Sequence, residues 1–265
     1  MLLALSMAIL SIPVSRDRAV LFLHLHKGAG TFVCNLAYIN NMRVNKGHNC
    51  LVQKNQRCCG GDSAVDHVRF AQSTRYNFMA NEGYLYNAIV PRFFIYVTVL
   101  RDSWSRYTSH FRHVCRAYNF PFRKKHFWAW VEGQPDNWNV RHICGTKCMS
   151  RAKFDLTPSD YAYTFRRLHM FDHVVRMGSN NTKFIDGVFA LCQGLRWSRC
   201  PVQKKNAAPQ RASDIYSRPS RFDRMTALDD CLFRNLTHSE CVGASRYFNA
   251  TTTFSHPCGI KCTPY

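Results

Sequence analysis

Acidic residues are scarce in this chain. Sixteen Asp and Glu stand against 36 Lys and Arg, a formal net charge of +20. A balance of that size implies an anionic partner: nucleic acid, an anionic glycan, a membrane surface or a phosphorylated cofactor. A long hydrophobic run is missing too. The most apolar stretch, Met1 to Val14 (MLLALSMAILSIPV), carries no charge and lacks a basic leading segment. It is shorter than the roughly 20 residues that a spanning helix takes. Residues 1–15 therefore read as a signal peptide or part of a signal-anchor, and residues 16–265 as one domain with a Cys-rich C-terminal tail. There is no Walker A loop, GxxxxGK[ST], and no obvious acidic pair of the Walker B kind, which counts against a P-loop phosphotransferase. Nor is there a repeat of solenoid period.

Apolar residues are plentiful, at 46% of the chain with 14% aromatic, so a disordered chain is excluded. A length of 265 residues holds one sizeable α/β domain or two small ones. The thirteen cysteines suggest local pairs: Cys58-Cys59, Cys144/Cys148, Cys192/Cys200, Cys231/Cys241 and Cys258/Cys262. Zinc is the competing use of such pairs, but CxxxC spacing needs well-placed partners. Disulfides are favoured because three glycosylation sequons, at Asn180, Asn235 and Asn249, and the apolar start also point to the secretory route. That route argues against nucleic acid as the partner. The odd count leaves one thiol unpaired within the chain, and Cys34 is the expected one.

The stretch LFLHLHKGAGTF, Leu21 to Phe32, breaks an apolar run with a lysine and two glycines. The run from Ala19 to Leu25 predicts a buried strand. Glycine permits a tight turn and a close approach to a ligand. A helix starting near Thr31 would aim its free N–H groups and positive dipole end at that turn, and Lys27 would add a charge. An ordinary strand-to-helix turn with a surface lysine fits this stretch equally well. The strongest strand is Phe93 to Leu100, which runs into Arg101-Asp102-Ser103-Trp104 and a helical pattern through Tyr107, Phe111 and Val114. Two strand-turn-helix units predict an α/β domain with a parallel sheet, helices on its faces, and ligands at the carboxyl ends of the strands. Residues 64–71 suggest a short strand, 127–131 a short helix, 158–171 a helix capped by Thr157, and HVVRM a strand. Residues 201–220 read as a basic loop, and the last helix spans roughly Arg221 to Leu236.

Together the two turns resemble those of sulfotransferases that use 3′-phosphoadenosine 5′-phosphosulfate (PAPS). LHKGAGTF is similar to that family's 5′-phosphosulfate loop. VLRDSWSRYTSHF resembles its 3′-phosphate motif at Leu100, Arg101, Asp102, Arg106, Ser109 and Phe111. The Golgi membrane-bound carbohydrate sulfotransferases, among them heparan 2-O-sulfotransferase, are the most similar branch. The likeness extends over roughly residues 19–240 and is specific at the two motifs. Gly28, His26 and Phe32 stand where Thr or Ser, Pro, and Ser or Thr are common, and Ser103 replaces a usual Pro.

The resemblance implies a sulfotransferase fold, a P-loop-like central parallel sheet flanked by helices. It implies an enzyme of the Golgi lumen, a type II membrane protein or secretory-pathway protein, that transfers a sulfuryl group from PAPS to a carbohydrate hydroxyl. Cofactor contacts would come from His26, Lys27, Gly28, Ala29, Gly30, Thr31, Phe32, Arg101 and Ser109. Lys27 would stabilise the departing phosphate and Arg101 would grip the 3′-phosphate as a fork. No metal is expected. The base that takes the acceptor's proton would be Glu82 or His67. Basic residues from Arg112 to Lys125, with Lys204 and Lys205, are candidates to hold an anionic polysaccharide. The alternative is a secreted basic module that binds glycan without catalysis.

Overall fold

Ala19–Leu23 forms β1, whose residues after the first are all buried. A computed structural model describes residues 18–45, 49–51, 64–85, 89–177, 181–200 and 220–235. Gly30–Ile39 follows as α1, Ala64–Thr74 as α2, Phe78–Asn81 as β2 and Phe94–Arg101 as β3. Ser103–Ala117 is α3, Lys124–Glu132 is α4, Trp138–Cys144 is α5 and Thr146–Met149 is α6. Pro158–Leu168 is α7, His173–Met177 is β4, Asn181–Gly194 is α8 and Ser220–Asn235 is α9.

The four strands make one parallel sheet in the order β2-β1-β3-β4. Its register pairs Leu21 with Met79 on one side and with Tyr96 on the other. Alternation along each strand serves both faces. Leu21, Leu23, Met79, Tyr96 and Leu100 pack with Val140, Ile143, Phe165, Leu168 and Leu232 of α5, α7 and α9. Val20, Phe22, Ala80, Val97 and Val99 pack with Val33, Leu36 and Ala37 of α1 and with Val188 and Leu191 of α8. Each Val, Leu, Ile, Phe or Met among them contributes about 1.5–3 kcal/mol when fully buried. Covering both faces is what a parallel sheet requires, and the result is a single α/β domain.

The strand order reverses at the centre. From β1 the chain proceeds to β2 on one side, and from β3 it proceeds to β4 on the other. The carboxyl ends of β1 and β3 therefore flank a topological switch point, the place where open α/β sheets leave a crevice.

Several expectations change. Residues 64–71 belong to α2, because His67, Val68 and Ala71 recur at helical spacing on its packed side. The strand at this edge is the short FMAN segment of β2. Cys34 is not the unpaired thiol: it is disulfide-bonded to Cys50. Cys50 is carried back under α1 because its carbonyl accepts from Ala80 N at 2.8 Å, alongside a bridge between Leu51 and Ala80. Among the described residues the free cysteine is the buried Cys115 of α3. The pairs Cys144–Cys148 and Cys192–Cys200 form as expected. Cys231 is disulfide-bonded as well, and its expected partner Cys241 lies outside the described residues, as do Cys58, Cys59, Cys258 and Cys262. The disulfides suit an oxidising compartment. No helix among the described residues is long and apolar enough to cross a membrane; residues 1–15 and 201–219 lie outside that set.

The aromatic segment after α3 is a packed excursion. Phe127 and Val131 of α4 join Tyr107, Phe111 and Cys115 of α3 and Phe222 and Met225 of α9 in a third core cluster. α7 starts as the sequence suggests, with a capping box between Thr157 and Asp160 and Pro158 in its first turn.

Candidate functional site

The turn after β1 has the geometry of an anion cradle. Lys27 and Ala29 both adopt left-handed backbone, with φ of 64° and 59°, on either side of Gly28. Non-glycine residues there cost about 1 kcal/mol or more each, and such strain gathers at functional turns. The Gly28 N–H closes this turn by donating to the Leu25 carbonyl at 2.7 Å, so the N–H groups that follow it at the start of α1 are the ones able to meet an anion. No side chain caps α1 at Ala29, so its first-turn N–H groups remain open to a ligand at the helix's positive end.

The two glycines have packing reasons as well. A Cβ on Gly28 would lie 2.7 Å from the Leu25 carbonyl oxygen and 2.8 Å from that of Val99, both rigid backbone. A Cβ on Gly30 would fall 1.9 Å from Nε2 of His24, whose ring packs against the start of α1.

Two turns distant in sequence are tied together here. Arg101, the last residue of β3, donates from Nη1 to the Lys27 carbonyl at 3.2 Å. Burial and the neighbouring Arg106 and Arg112 push the Arg101 pKa down against the opposing pull of Asp102. The Lys27 pKa is lowered first by burial and then by Arg101 and Arg116, with Glu82 working the other way. These crowded cations are a site that gains by receiving negative charge. The second turn differs from the first in one respect: Asp102 caps α3 by accepting from Ser105 N at 2.9 Å, so one first-turn N–H is satisfied and a carboxylate stands at that end. The side chain at this turn is Arg101, and Ser109 is half-buried two helical turns on.

Glu82 follows β2 directly, so three adjacent strands deliver their ends to one place. Its Oε1 lies 2.7 Å from His26 Nδ1 and 3.8 Å from His24 Nδ1. Burial raises the Glu82 pKa, but the His26 hydrogen bond and the charges of His24, His26 and Lys27 outweigh it, and the net shift is downward. The carboxylate is thus ionised at neutral pH, and a third of its side-chain surface is open to solvent. His67 is buried on α2 at 4% exposure, and the charges that act on Glu82 are those of His24, His26 and Lys27.

Thr31 is exposed and donates to Asn49 Oδ1 at 3.2 Å. Phe32 packs its ring toward Phe184 at 5.6 Å and joins the core, which leaves its backbone N–H as the group able to meet a ligand. Of the expected residues, His26, Lys27, Arg101 and Glu82 are joined by direct contact or by charge.

The sequence reading missed three histidines. His24 sits between α1 and Glu82, and burial holds its pKa down. His110 of α3 places its ring 4.2 Å from that of His26, and His113 lies at 6.1 Å. Burial first, then His26, Arg106 and Lys27, depress the His110 pKa to about 3. Their spacing was visible: His110 and His113 stand three apart on one face of α3, just beyond Ser109. Behind them, the fully buried Arg106 lies over the Tyr107 ring at 4.1 Å and the Trp138 ring at 4.9 Å, fastening α3 to α5.

A possible metal set among the described residues, Cys144, Cys148 and Asp160, is occupied otherwise: the cysteines form a disulfide and Asp160 pairs with Lys147 and Arg151. No protein-family model, no curated protein and no solved structure matches this chain.

Proposed function

We propose that this protein is a PAPS-dependent sulfotransferase acting on a carbohydrate hydroxyl in the lumen of the secretory pathway. One observation supports this reading above the others. Arg101, from the turn that resembles a 3′-phosphate motif, hydrogen-bonds the Lys27 backbone in the turn that resembles a 5′-phosphosulfate loop, at the switch point of a parallel sheet. A ligand with negative groups at both ends fits such a pair of turns.

The residues then take these roles. The uncapped first turn of α1 binds the 5′ end of the cofactor through backbone N–H groups. Arg101 and Ser109 hold its 3′-phosphate. Bound PAPS supplies the sulfuryl group. The Lys27 ammonium offsets charge on the phosphate as the bond to sulfur breaks. Glu82 Oε2 accepts the proton of the attacking hydroxyl, while His26 keeps the carboxylate oriented and ionised through Oε1. A lowered carboxylate pKa makes Glu82 a weak base, matched to a step in which sulfur transfer leads and proton removal follows.

Calorimetric titration with 3′-phosphoadenosine 5′-phosphate, the desulfated product, tests the reading. The wild type should bind, and Lys27→Ala and Arg101→Ala should each weaken binding about tenfold or more, the scale of a lost charge-assisted contact. A folded wild type that does not bind removes the proposal and leaves a basic glycan-binding module.

A further inference from the structure

We propose that a cleft at the opposite end of the sheet is a second, non-catalytic binding site for an anionic saccharide. The cleft has a volume of about 680 Å³ and is lined by Tyr38, Ile39, Met42, Arg43, Tyr76 and Arg199 among others, with no carboxylate on its wall among the described residues. It lies where α1 ends and the chain turns toward the start of β2: the Arg43 carbonyl accepts from Asn77 N and Phe78 N, at the amino end of that strand. The candidate active site is at the carboxyl ends. A five-residue strand therefore separates the two sites by roughly 17 Å.

Both arginines sit on braced backbone. Arg43 N donates to Asn77 Oδ1 at 2.7 Å, and its Nε donates to the Arg75 carbonyl at 2.5 Å. Arg199 is clamped by Asn40, which accepts from Arg199 N at 2.8 Å and donates to its carbonyl at 2.6 Å. The Cys192–Cys200 disulfide closes the segment that carries Arg199. Arg199 Nη1 also donates to the Ile39 carbonyl at 3.5 Å. Each guanidinium keeps further N–H groups, and both residues are exposed. Two fixed cations with N–H groups left to donate suit sulfate or carboxylate groups. Tyr38 is 49% exposed and lines the cleft, where its ring can meet the C–H face of a sugar. Cations at the rim and an aromatic wall match an acidic sugar better than a bare ion. The disulfides, which suit an oxidising compartment, favour a glycan over RNA as the occupant.

The site stands apart from the proposed reaction. On a long polyanion it would act as a second handhold, raising retention by effective concentration.

The test is fluorescence anisotropy with a labelled heparin hexasaccharide at about 0.15 M salt, where loose surface attraction is screened. Saturating 3′-phosphoadenosine 5′-phosphate is present to occupy the other end. Arg43→Ala/Arg199→Ala should bind at least tenfold more weakly, and Tyr38→Ala several-fold more weakly with the charge unchanged. Arg166→Ala/Arg234→Ala, an equal charge loss on α7 and α9, should stay within twofold. Equal losses in the two double variants would mean diffuse surface charge and overturn the site. So would unchanged binding by Arg43→Ala/Arg199→Ala, or tighter binding of a labelled hexaribonucleotide. If that double variant does not fold, Tyr38→Ala and Arg43→Gln carry the same test, and wild-type affinity in both overturns the site. The hexasaccharide titration is read in the same way if the nucleotide fails to bind, so the two proposals fail separately.

Discussion

Glu82 shows how three neighbours set one residue's chemistry. Isolated on a surface it would be an ordinary carboxylate, and the sequence around it, FMANEGYLY, gives little sign of anything else. The His26 hydrogen bond and the Lys27 and His24 charges make it an ionised, oriented group beside the anion cradle. Glu82→Gln keeps the shape and removes the proton acceptor. Turnover should fall about 10²- to 10⁴-fold, with affinity for 3′-phosphoadenosine 5′-phosphate within a few-fold of wild type. His67→Ala should leave turnover per folded molecule near wild type, because His67 sits inside α2. Single-turnover assays on both variants decide between them: full activity in Glu82→Gln would return the base to His67 or to another group. His26 is a positioning residue on this account. His26→Phe should shift the acid limb of the pH–rate profile upward as Glu82 loses the bond that holds its pKa down.

At the scale of elements, α1 is the piece on which the site depends. It presents the cradle at one end and the Arg199 clamp at the other, and its inner face is buried by Val33, Leu36 and Ala37. The Cys34–Cys50 disulfide fastens its middle to the strand segment beside β2, closing a loop of sequence separation 16. A loop of that length is worth about 3 kcal/mol through restriction of the unfolded chain. Cys34→Ala/Cys50→Ala should therefore lower unfolding stability by about 2–4 kcal/mol in urea titration. Cys115→Ala, which removes one sulfur from the third cluster and no crosslink, should cost less than about 1.5 kcal/mol. Equal losses from the two changes would count against the disulfide's role. α3 is fixed differently, by the Asp102 cap at its start, the Arg106 guanidinium against Trp138 and the aromatic cluster at its far end.

For the whole molecule, buried titratable groups set how stability follows pH, and they do not all pull the same way. His142 is held to about 4, by burial above all, and His110 to about 3. A histidine with a depressed folded pKa contributes fully above its unfolded value of 6.5 and loses that contribution as pH falls toward the folded value. Asp229, buried under α5 and accepting from Asn139 N and Val140 N, is pushed up to about 7 by burial despite the Arg106 charge. Its sign is opposite: stability is full below its ordinary value of 3.8 and is lost as pH rises toward 7. His24 is lowered in the same direction, so three histidines stand against one aspartate, and the urea midpoint should rise from pH 4.5 to 6.5. His142→Phe, which keeps the stack on Trp138, should make that rise smaller. A midpoint that falls across this window would mean that Asp229 dominates.

The two strand-turn-helix units, the Thr157 cap and the short-range disulfides were legible in the sequence because each depends on neighbours within a few residues. Apolar runs, glycines and capping side chains act locally, and local periodicity reports them. Two such units also implied a parallel sheet, since a helix between strands brings the chain back in the same direction. The four-residue β2 was not legible: Phe-Met-Ala-Asn has little strand character, and pairing with β1 alone makes it a strand. Nor were the contacts that build the site. The His26–Glu82 bond joins residues 56 apart, and the Arg101–Lys27 bond joins residues 74 apart. Cys34 looked solitary for the same reason, since its partner arrives only after the chain has rounded α1. The sequence determined that two strand-to-helix turns carry basic residues. Only the tertiary structure decided that both turns meet at one end of the sheet, because strand order in a sheet is settled by packing between segments that carry no signal of one another.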